Sequence, residues 1–206
     1  MLEPIRIAVL VSGGGTNLQA LLDSKDRGEL PSGEIRLVVS NVKDAYALKR
    51  AEKAGIKNYT VTKKECGSNF ESKLYEILQS EGIELIVLAG FLAILSKDFI
   101  SRYKDRIINI HPSLIPSFCG KGYYGLKVHE AALAYGVKVT GATVHFVNEI
   151  PDGGKIIMQK AVEIREDDTA ETLQRRVMEE AEWKLLPKAV EMVSKELLEE
   201  KENECL

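Results

Sequence analysis

The amino-acid sequence predicts an α/β fold, a doubly wound and mostly parallel sheet with an antiparallel extension toward the carboxyl terminus. Short apolar segments alternate with segments of helical periodicity up to about residue 110, which is the pattern of a parallel sheet covered by helices. A run of glycines joins the first strand to the first helix. Two longer strand-like segments come later, on either side of a short turn, and a short connection favours antiparallel pairing.

Each element of the first half of the chain has its own signal. The opening run is apolar and β-branched, as a buried strand is. Thr16 and Asn17 mark a helix start, and Gly55 ends a second helical stretch. The predicted strands are Ile5–Val11, Glu34–Ser40, Lys57–Val61, Glu84–Ala89 and Ile107–Ile110, with helices that begin at Thr16 and cover Asp44–Ala54 and Phe70–Ser80. Sheets of this kind bind ligands beyond the carboxyl ends of their strands.

The chain changes character after Ile110. Residues 111–124 are rich in proline, glycine, serine and aromatic side chains, and long irregular loops of this kind usually have a function. A further helix is predicted over Leu126–Tyr135, and strands over Lys138–Val147 and Lys155–Ile164. Thr169 caps a last helix that runs to about Glu200, and we expect a break near Pro187 because proline lacks the N–H that the helix needs.

Composition and charge narrow the classes of protein. The 206 residues suit one domain, or at most two small ones. The net charge of −3 argues against a nucleic-acid partner, which would require a basic face. No apolar run approaches ~18 residues and no signal-peptide pattern is visible, so no membrane partner is expected. Cys66, Cys119 and Cys205 have neither disulfide nor zinc spacing. These features indicate a cytoplasmic protein with small-molecule partners.

The glycine turn Ser12–Asn17 is the first candidate site. Glycines between a strand and a helix let backbone N–H groups converge on a phosphate at the positive helix end, although a tight turn that needs positive φ is the alternative. A dinucleotide fingerprint would require glycine where Leu18 stands and an acidic residue where Asn41 stands, and no Gly-Lys-Ser/Thr follows. A phosphomonoester therefore fits better than a dinucleotide or a nucleoside triphosphate.

Asn109 and His111 form the second candidate site. Two positions apart in a strand, they share one face, and an amide donor beside an imidazole can stabilise an oxyanion and transfer a proton. A hydrogen-bonded structural histidine is the alternative. Asp152 lies in an Asp-Gly-Gly segment that is also a common turn. Its carboxylate would raise the pKa of His111 if the fold brought the two together.

Four other residues are weaker candidates. His145 is interpreted as a hydrogen-bonded strand histidine and His129 as a surface residue of a helix. No histidine pair has metal-ligand spacing, so no metal is expected. Cys119 has no activating base next to it in sequence. Glu182 could anchor an amine, although most helical glutamates are only solvated.

Five segments taken together resemble the folate-dependent phosphoribosylglycinamide formyltransferase family. They are SGGGTNLQALL, VLAGFLAILS, INIHPSLIPSF, TGATVHFVNEIPDGGKII and AEWKLLP. The resemblance extends from about Ile5 to Pro187. It implies a Rossmann-like fold that transfers a formyl group from 10-formyltetrahydrofolate to the amine of 5-phosphoribosylglycinamide in purine biosynthesis, with no metal, as a monomer or homodimer. It also implies one domain over residues 1–206, with a phosphate-binding half to about residue 110 and a folate-binding and catalytic half after it.

The resemblance assigns roles to individual residues. The catalytic residues would be Asn109, His111 and Asp152. The phosphoribosylglycinamide would contact Gly14, Gly15, Thr16, Asn17 and Glu182. The folate would contact Leu92, Ala93, Ile94, Leu95, Asn109, Asn148, Glu149, Ile150, Pro151 and Asp152. The bond between Ile115 and Pro116 would be cis, as in similar proteins.

The chain departs from the family at several positions. Ala93 stands where arginine is common, and Gly67 falls near another expected arginine, which leaves the contacts to the folate tail open. Pro151 and Lys155 also differ from the usual residues, and the loop Cys119–Tyr124 is longer than in some members. None of these changes touches the proposed catalytic residues.

Four other functions are compatible with parts of the sequence and are less favoured. A formyltetrahydrofolate hydrolase usually has an extra amino-terminal domain, whereas the first strand here begins at Ile5. A methionyl-tRNA formyltransferase usually has a carboxyl-terminal RNA-binding barrel, which this acidic chain does not suggest. A non-catalytic folate or nucleotide sensor would not need His111. A nicotinamide dehydrogenase is disfavoured by Leu18 and Asn41.

Overall fold

The computed structural model describes residues 2–204, which form a seven-stranded sheet in the order β3-β2-β1-β4-β5-β6-β7. The first five strands are parallel to one another, whereas β6 pairs antiparallel with β5 and β7 pairs antiparallel with β6. The strands are β1 Ile5–Val11, β2 Gly33–Ser40, β3 Lys57–Thr60, β4 Leu85–Leu88, β5 Ile107–His111, β6 Val139–Phe146 and β7 Ile156–Glu163. The predicted fold class, including its antiparallel extension, is confirmed.

Helices cover both faces of the sheet. They are α1 Thr16–Asp26, α2 Tyr46–Lys53, α3 Lys63–Cys66, α4 Phe70–Ser80, α5 Lys97–Arg102, α6 Leu126–Tyr135, α7 Ala170–Val177 and α8 Trp183–Glu204. Alternation along β1 divides the core, because Ile7 and Val9 pack with α1 and α8 whereas Ala8 and Leu10 pack with α4 and α5. In the described part of the chain, no helix is both long and apolar enough to cross a lipid bilayer.

The helix that was expected to break at Pro187 does not break there. Pro187 lies inside α8, and the irregularity is a π-helical turn over Met178–Glu182, between α7 and α8. The carbonyl that an N–H at position 187 would have bonded belongs to Trp183, four residues earlier and directly after the π turn. The helix therefore changes its winding upstream of the proline instead of ending at it.

Two other differences concern short elements. The helix predicted over Asp44–Ala54 is confined to α2, and Asp44 has φ of 60°, so the chain is still turning there. The short helices α3 and α5 were not predicted, because four and six residues carry too little periodicity to be recognised. Cys66 and Cys119 form no disulfide with each other, and Cys205 lies outside the described residues.

The order of the central strands brings three segments to one edge. β1, β4 and β5 are parallel neighbours, so their carboxyl ends lie side by side. The glycine turn follows β1, the segment 91–95 follows β4, and β5 ends on His111. Ser12 links two of these segments, since its hydroxyl accepts a hydrogen bond from the Leu92 N–H at 2.8 Å and donates one to Asn41 at 2.6 Å.

Candidate active site

A cluster of polar side chains fills the junction between β5 and β6. Asn109 is paired with His145 across the two strands, and His111 is paired with Thr143. Alternation puts all four side chains on the same face. Thr143 then fixes the loop that follows β5, because its hydroxyl donates to the Ser113 carbonyl at 2.7 Å and accepts from the Ile115 N–H at 3.1 Å. The Ile115–Pro116 peptide bond in this loop is cis, as expected.

His111 is buried and its ring is held on both sides. Its Nε2 lies 2.9 Å from the Phe118 carbonyl oxygen, and its Nδ1 lies 3.5 Å from Oδ2 of Asp152. Since a carbonyl only accepts, Nε2 carries a hydrogen and Nδ1 is the atom at which the ring gains or loses a proton. Burial lowers the pKa of His111, and this outweighs the opposing effects of Asp152 and Phe118. The carboxylate was expected to raise this pKa, so desolvation reverses the expected direction.

Asp152 sits in the turn between β6 and β7, with φ of 55°. Its Oδ2 accepts a hydrogen bond from the Gly120 N–H at 2.8 Å, and its Oδ1 lies 3.5 Å from Nε2 of His145. Burial opposes ionisation of Asp152, but its contacts with His145, His111 and Gly120 prevail and keep its pKa below the usual value. The carboxylate is therefore charged at neutral pH and faces both imidazoles.

His145 belongs to the cluster, which the sequence did not indicate. Its Nδ1 donates to its neighbour's carbonyl, that of Phe146, at 2.8 Å. Its Nε2 consequently faces the cluster and lies 3.1 Å from Nδ2 of Asn109. His145 is thus a hydrogen-bonded strand histidine, as expected, but it also fixes the amide of Asn109 and approaches Asp152. The pairing of β5 with β6 was the missing information.

His129 was expected at the surface and is instead buried, with 1% of its surface exposed. Helix α6 turns Val128, His129 and Ala132 inward. Neither ring nitrogen of His129 has a hydrogen-bond partner among residues 2–204. Burial, together with a smaller effect of the nearby charge of His111, lowers the pKa of His129 to about 4.

A cavity of about 130 Å³ opens beside the cluster. Segment 93–95 and the turn 148–152 line this cavity, together with Asn109 and His145. Ile94 and Ile150 are 68% and 61% exposed, so apolar surface is available to a ligand there. All the residues predicted to contact folate line this cavity except Leu92, whose side chain is exposed nearby.

The glycine turn meets Glu182 at the amino end of α1. Gly15 has φ of 71° and precedes the first helical residue, Thr16. Asn17 donates a hydrogen bond from Nδ2 to Oε2 of Glu182 at 2.7 Å, and both side chains are buried. Burial raises the pKa of Glu182, against the effect of Asn17. Gly14 has open space where a side chain would be, so a ligand can approach the backbone closely.

The fold and this cluster together indicate the general class of protein to which the chain belongs. An imidazole beside a carboxylate and an amide donor, at the carboxyl edge of a doubly wound sheet, can stabilise an oxyanion and move a proton. Among residues 2–204, no three His, Cys, Asp or Glu side chains are grouped as a metal ion would require. The arrangement is that of an enzyme acting on a carbonyl group.

The particular family follows from comparison with known proteins. The chain belongs to the formyl transferase family, whose sequence profile matches residues 5–190. The trifunctional purine biosynthetic protein adenosine-3 of Gallus gallus is 45% identical over 92% of this chain, which spans 18% of that protein's length. The phosphoribosylglycinamide formyltransferase of Haemophilus influenzae is 40% identical over 96% of this chain and 91% of its own length. The crystal structure of glycinamide ribonucleotide transformylase 1 from Symbiobacterium toebii has a TM-score of 0.87 and 41% identity, over 93% of this chain and 88% of that one.

Proposed function

We propose that this chain transfers the formyl group of 10-formyltetrahydrofolate to the amine of 5-phosphoribosylglycinamide in de novo purine biosynthesis. The products are formylglycinamide ribonucleotide and tetrahydrofolate. One observation carries the proposal: the glycine turn with its Asn17–Glu182 pair and the cluster of Asn109, His111 and Asp152 lie on one sheet edge, with only β4 between their strands. The names of the similar proteins from Haemophilus influenzae and Symbiobacterium toebii support it.

The two ends of the site suit the two substrates. The N–H groups at the amino end of α1 favour a phosphate, and we assign Gly14, Gly15, Thr16 and Asn17 to the ribose phosphate. The buried carboxyl of Glu182 would hold the glycinamide amine. The cavity beside Asn109 would hold the folate pterin through segments 92–95 and 148–152, largely by backbone groups and apolar contact. In this proposal the first half of a single domain mainly binds phosphate, and the second half binds folate and carries His111 and Asp152.

In this proposal, the side chains of the cluster supply most of the groups that the formyl transfer requires. The neutral amine attacks the formyl carbon, and the carbonyl oxygen becomes an oxyanion as the tetrahedral centre forms. Asn109 donates an N–H to this oxygen, and the protonated ring of His111 stabilises its charge. Asp152 favours the imidazolium that this role requires. The attacking nitrogen loses a proton, and the nitrogen of the folate takes one up through water as the bond between the formyl carbon and that folate nitrogen breaks. We further propose that the protein acts in the cytoplasm, as a monomer or homodimer.

The decisive experiment is an absorbance assay of formyl transfer. The purified protein is mixed with a 10-formylfolate donor, with and without glycinamide ribonucleotide. We expect loss of the formyl donor only when the ribonucleotide is present. Loss without it would identify a hydrolase, and no loss in either mixture would indicate a binding protein. The His111→Ala variant is the control, because its turnover should collapse while ribonucleotide binding remains.

A further inference from the structure

The backbone of the glycine turn is oriented by α2. The Gly13 carbonyl accepts a hydrogen bond from the Ala47 N–H at 3.1 Å, and the Gly14 carbonyl accepts one from Nε of Arg50 at 2.9 Å. In a trans peptide the N–H points opposite to the preceding carbonyl. The N–H groups of Gly14 and Gly15 therefore point away from α2, on the side where an anion could meet them.

Arg50 connects this turn to two helices at once. Its Nη1 donates to the side-chain oxygen of Gln19 in α1 at 2.8 Å. Its guanidinium lies 5.0 Å from the centre of the Tyr46 ring, a cation–π distance. Contacts with α2, the turn and α1 together therefore fix the side chain of Arg50, unlike that of a flexible surface arginine.

Close packing holds Gly15 against α2, whereas Gly14 has open space around it. A side-chain carbon on Gly15 would lie 2.6 Å from Cβ and 2.9 Å from Cα of Ala47. The backbone of the turn and the first turn of α2 are therefore in direct contact. If Arg50 released the Gly14 carbonyl, that peptide would be free to turn its oxygen toward the anion side.

We propose that Arg50 is a positioning residue for the phosphate-binding turn, acting through the Gly14 carbonyl and not through contact with the phosphate. This inference rests on the proposed function, since it presumes a phosphorylated substrate at the turn. It assigns to Arg50 the orientation of the N–H groups of Gly14 and Gly15, and it places a positive charge behind them. Both effects strengthen anion binding.

The test compares Arg50→Met with Lys49→Met. Lys49 is the neighbouring exposed cation of α2, and its variant removes the same charge without touching the turn. Titration calorimetry with ribose 5-phosphate and steady-state kinetics are measured for each. For Arg50→Met we expect about a tenfold weaker Kd for ribose 5-phosphate and a similar rise in KM for the phosphorylated amine, the effect of one charge-assisted hydrogen bond. KM for the formyl donor and kcat should stay within about twofold.

The Arg50→Lys variant distinguishes the effect of the hydrogen-bond geometry of Arg50 from the effect of its charge. Lysine keeps the positive charge but cannot bond the Gly14 carbonyl and Gln19 in the same fork, so most of the loss should remain. It also replaces Arg50→Met if thermal unfolding shows that the methionine variant does not fold. Full binding by Arg50→Lys, or equal losses in Arg50→Met and Lys49→Met, would overturn the inference.

The calorimetry distinguishes this inference from the proposed function. Ribose 5-phosphate binding requires no formyl transfer, so a wild-type protein that binds it without transferring would refute the proposed function and leave the role of Arg50 testable. A wild-type protein that transfers the formyl group but does not bind ribose 5-phosphate would refute the inference about Arg50 alone.

Discussion

Replacing Asp152 by asparagine should slow turnover by about three orders of magnitude at neutral pH. Its carboxylate lies 3.5 Å from Nδ1 of His111, and two unit charges at this range interact by ~4 kcal/mol at an effective dielectric constant of about 20. Such an energy corresponds to roughly a thousandfold change in the ratio of imidazolium to neutral imidazole. The pKa of His111 is already lowered by burial, so losing the carboxylate lowers it further and reduces the imidazolium population at pH 7 by about a thousandfold.

The assay is kcat of wild type divided by kcat of Asp152→Asn across the pH range. Protonation of the substrate amine affects both proteins equally and cancels in this ratio. The ratio should be constant above the wild-type pKa of His111 and should shrink below it, because only the variant still gains imidazolium there. Asparagine can still accept the Gly120 N–H, so ribose 5-phosphate binding should be unchanged. A turnover within about tenfold of wild type at pH 7 would refute the electrostatic role of Asp152.

Two further predictions concern folding and the glycine turn. Gly15→Ala should weaken ribose 5-phosphate binding and lower the unfolding temperature, because the φ of 71° at this position strains alanine and the new methyl group meets Ala47. Gly13→Ala is the control, since position 13 has open space for a methyl group. Equal effects of the two variants in calorimetry would contradict the reasoning. His129 has a folded pKa of about 4 against an ordinary 6.5, so its contribution of about 3 kcal/mol is present above pH 6.5 and is lost as the pH falls to about 4. In denaturant unfolding, the free energy of unfolding of His129→Leu should therefore fall less than that of wild type as the pH decreases from 6.5 to about 4. An unchanged dependence on pH would contradict this prediction.

The fold was predictable because its signals are local. The glycine turn, the apolar run Ile5–Val11 and the alternation of elements need only neighbouring residues, and the doubly wound sheet follows from them. The shared face of Asn109 and His111 also follows from strand geometry. The contact between His111 and Asp152 does not, because it depends on the antiparallel pairing of β5 with β6 and on a left-handed residue in the turn that follows.

The positions of the two buried histidines likewise depend on packing that the local sequence does not determine. His145 enters the cluster only because β6 places it opposite Asn109, and its own sequence neighbours describe an ordinary strand. His129 is turned inward by the packing of α6, at a position of a helix that the sequence analysis interpreted as surface. Pro187 was misjudged because the helix adjusts before the proline, through a π turn that has no periodic signature.

The strand order also explains how such a site can favour attack on the formyl carbon by an amine over attack by water. Neighbouring strands lie ~4.8 Å apart, and β1 and β5 are separated by β4, so the glycine turn and the cluster around His111 lie roughly 10 Å apart across the edge. Water has no group that could bind at the glycine turn. A phosphorylated amine does, and its phosphate contacts would hold the nitrogen near the formyl carbon, which can lower the barrier by several kcal/mol. Variants that loosen the turn at Gly15 or Arg50 should therefore raise KM for the phosphorylated amine and leave the carbonyl chemistry of His111 and Asp152 intact.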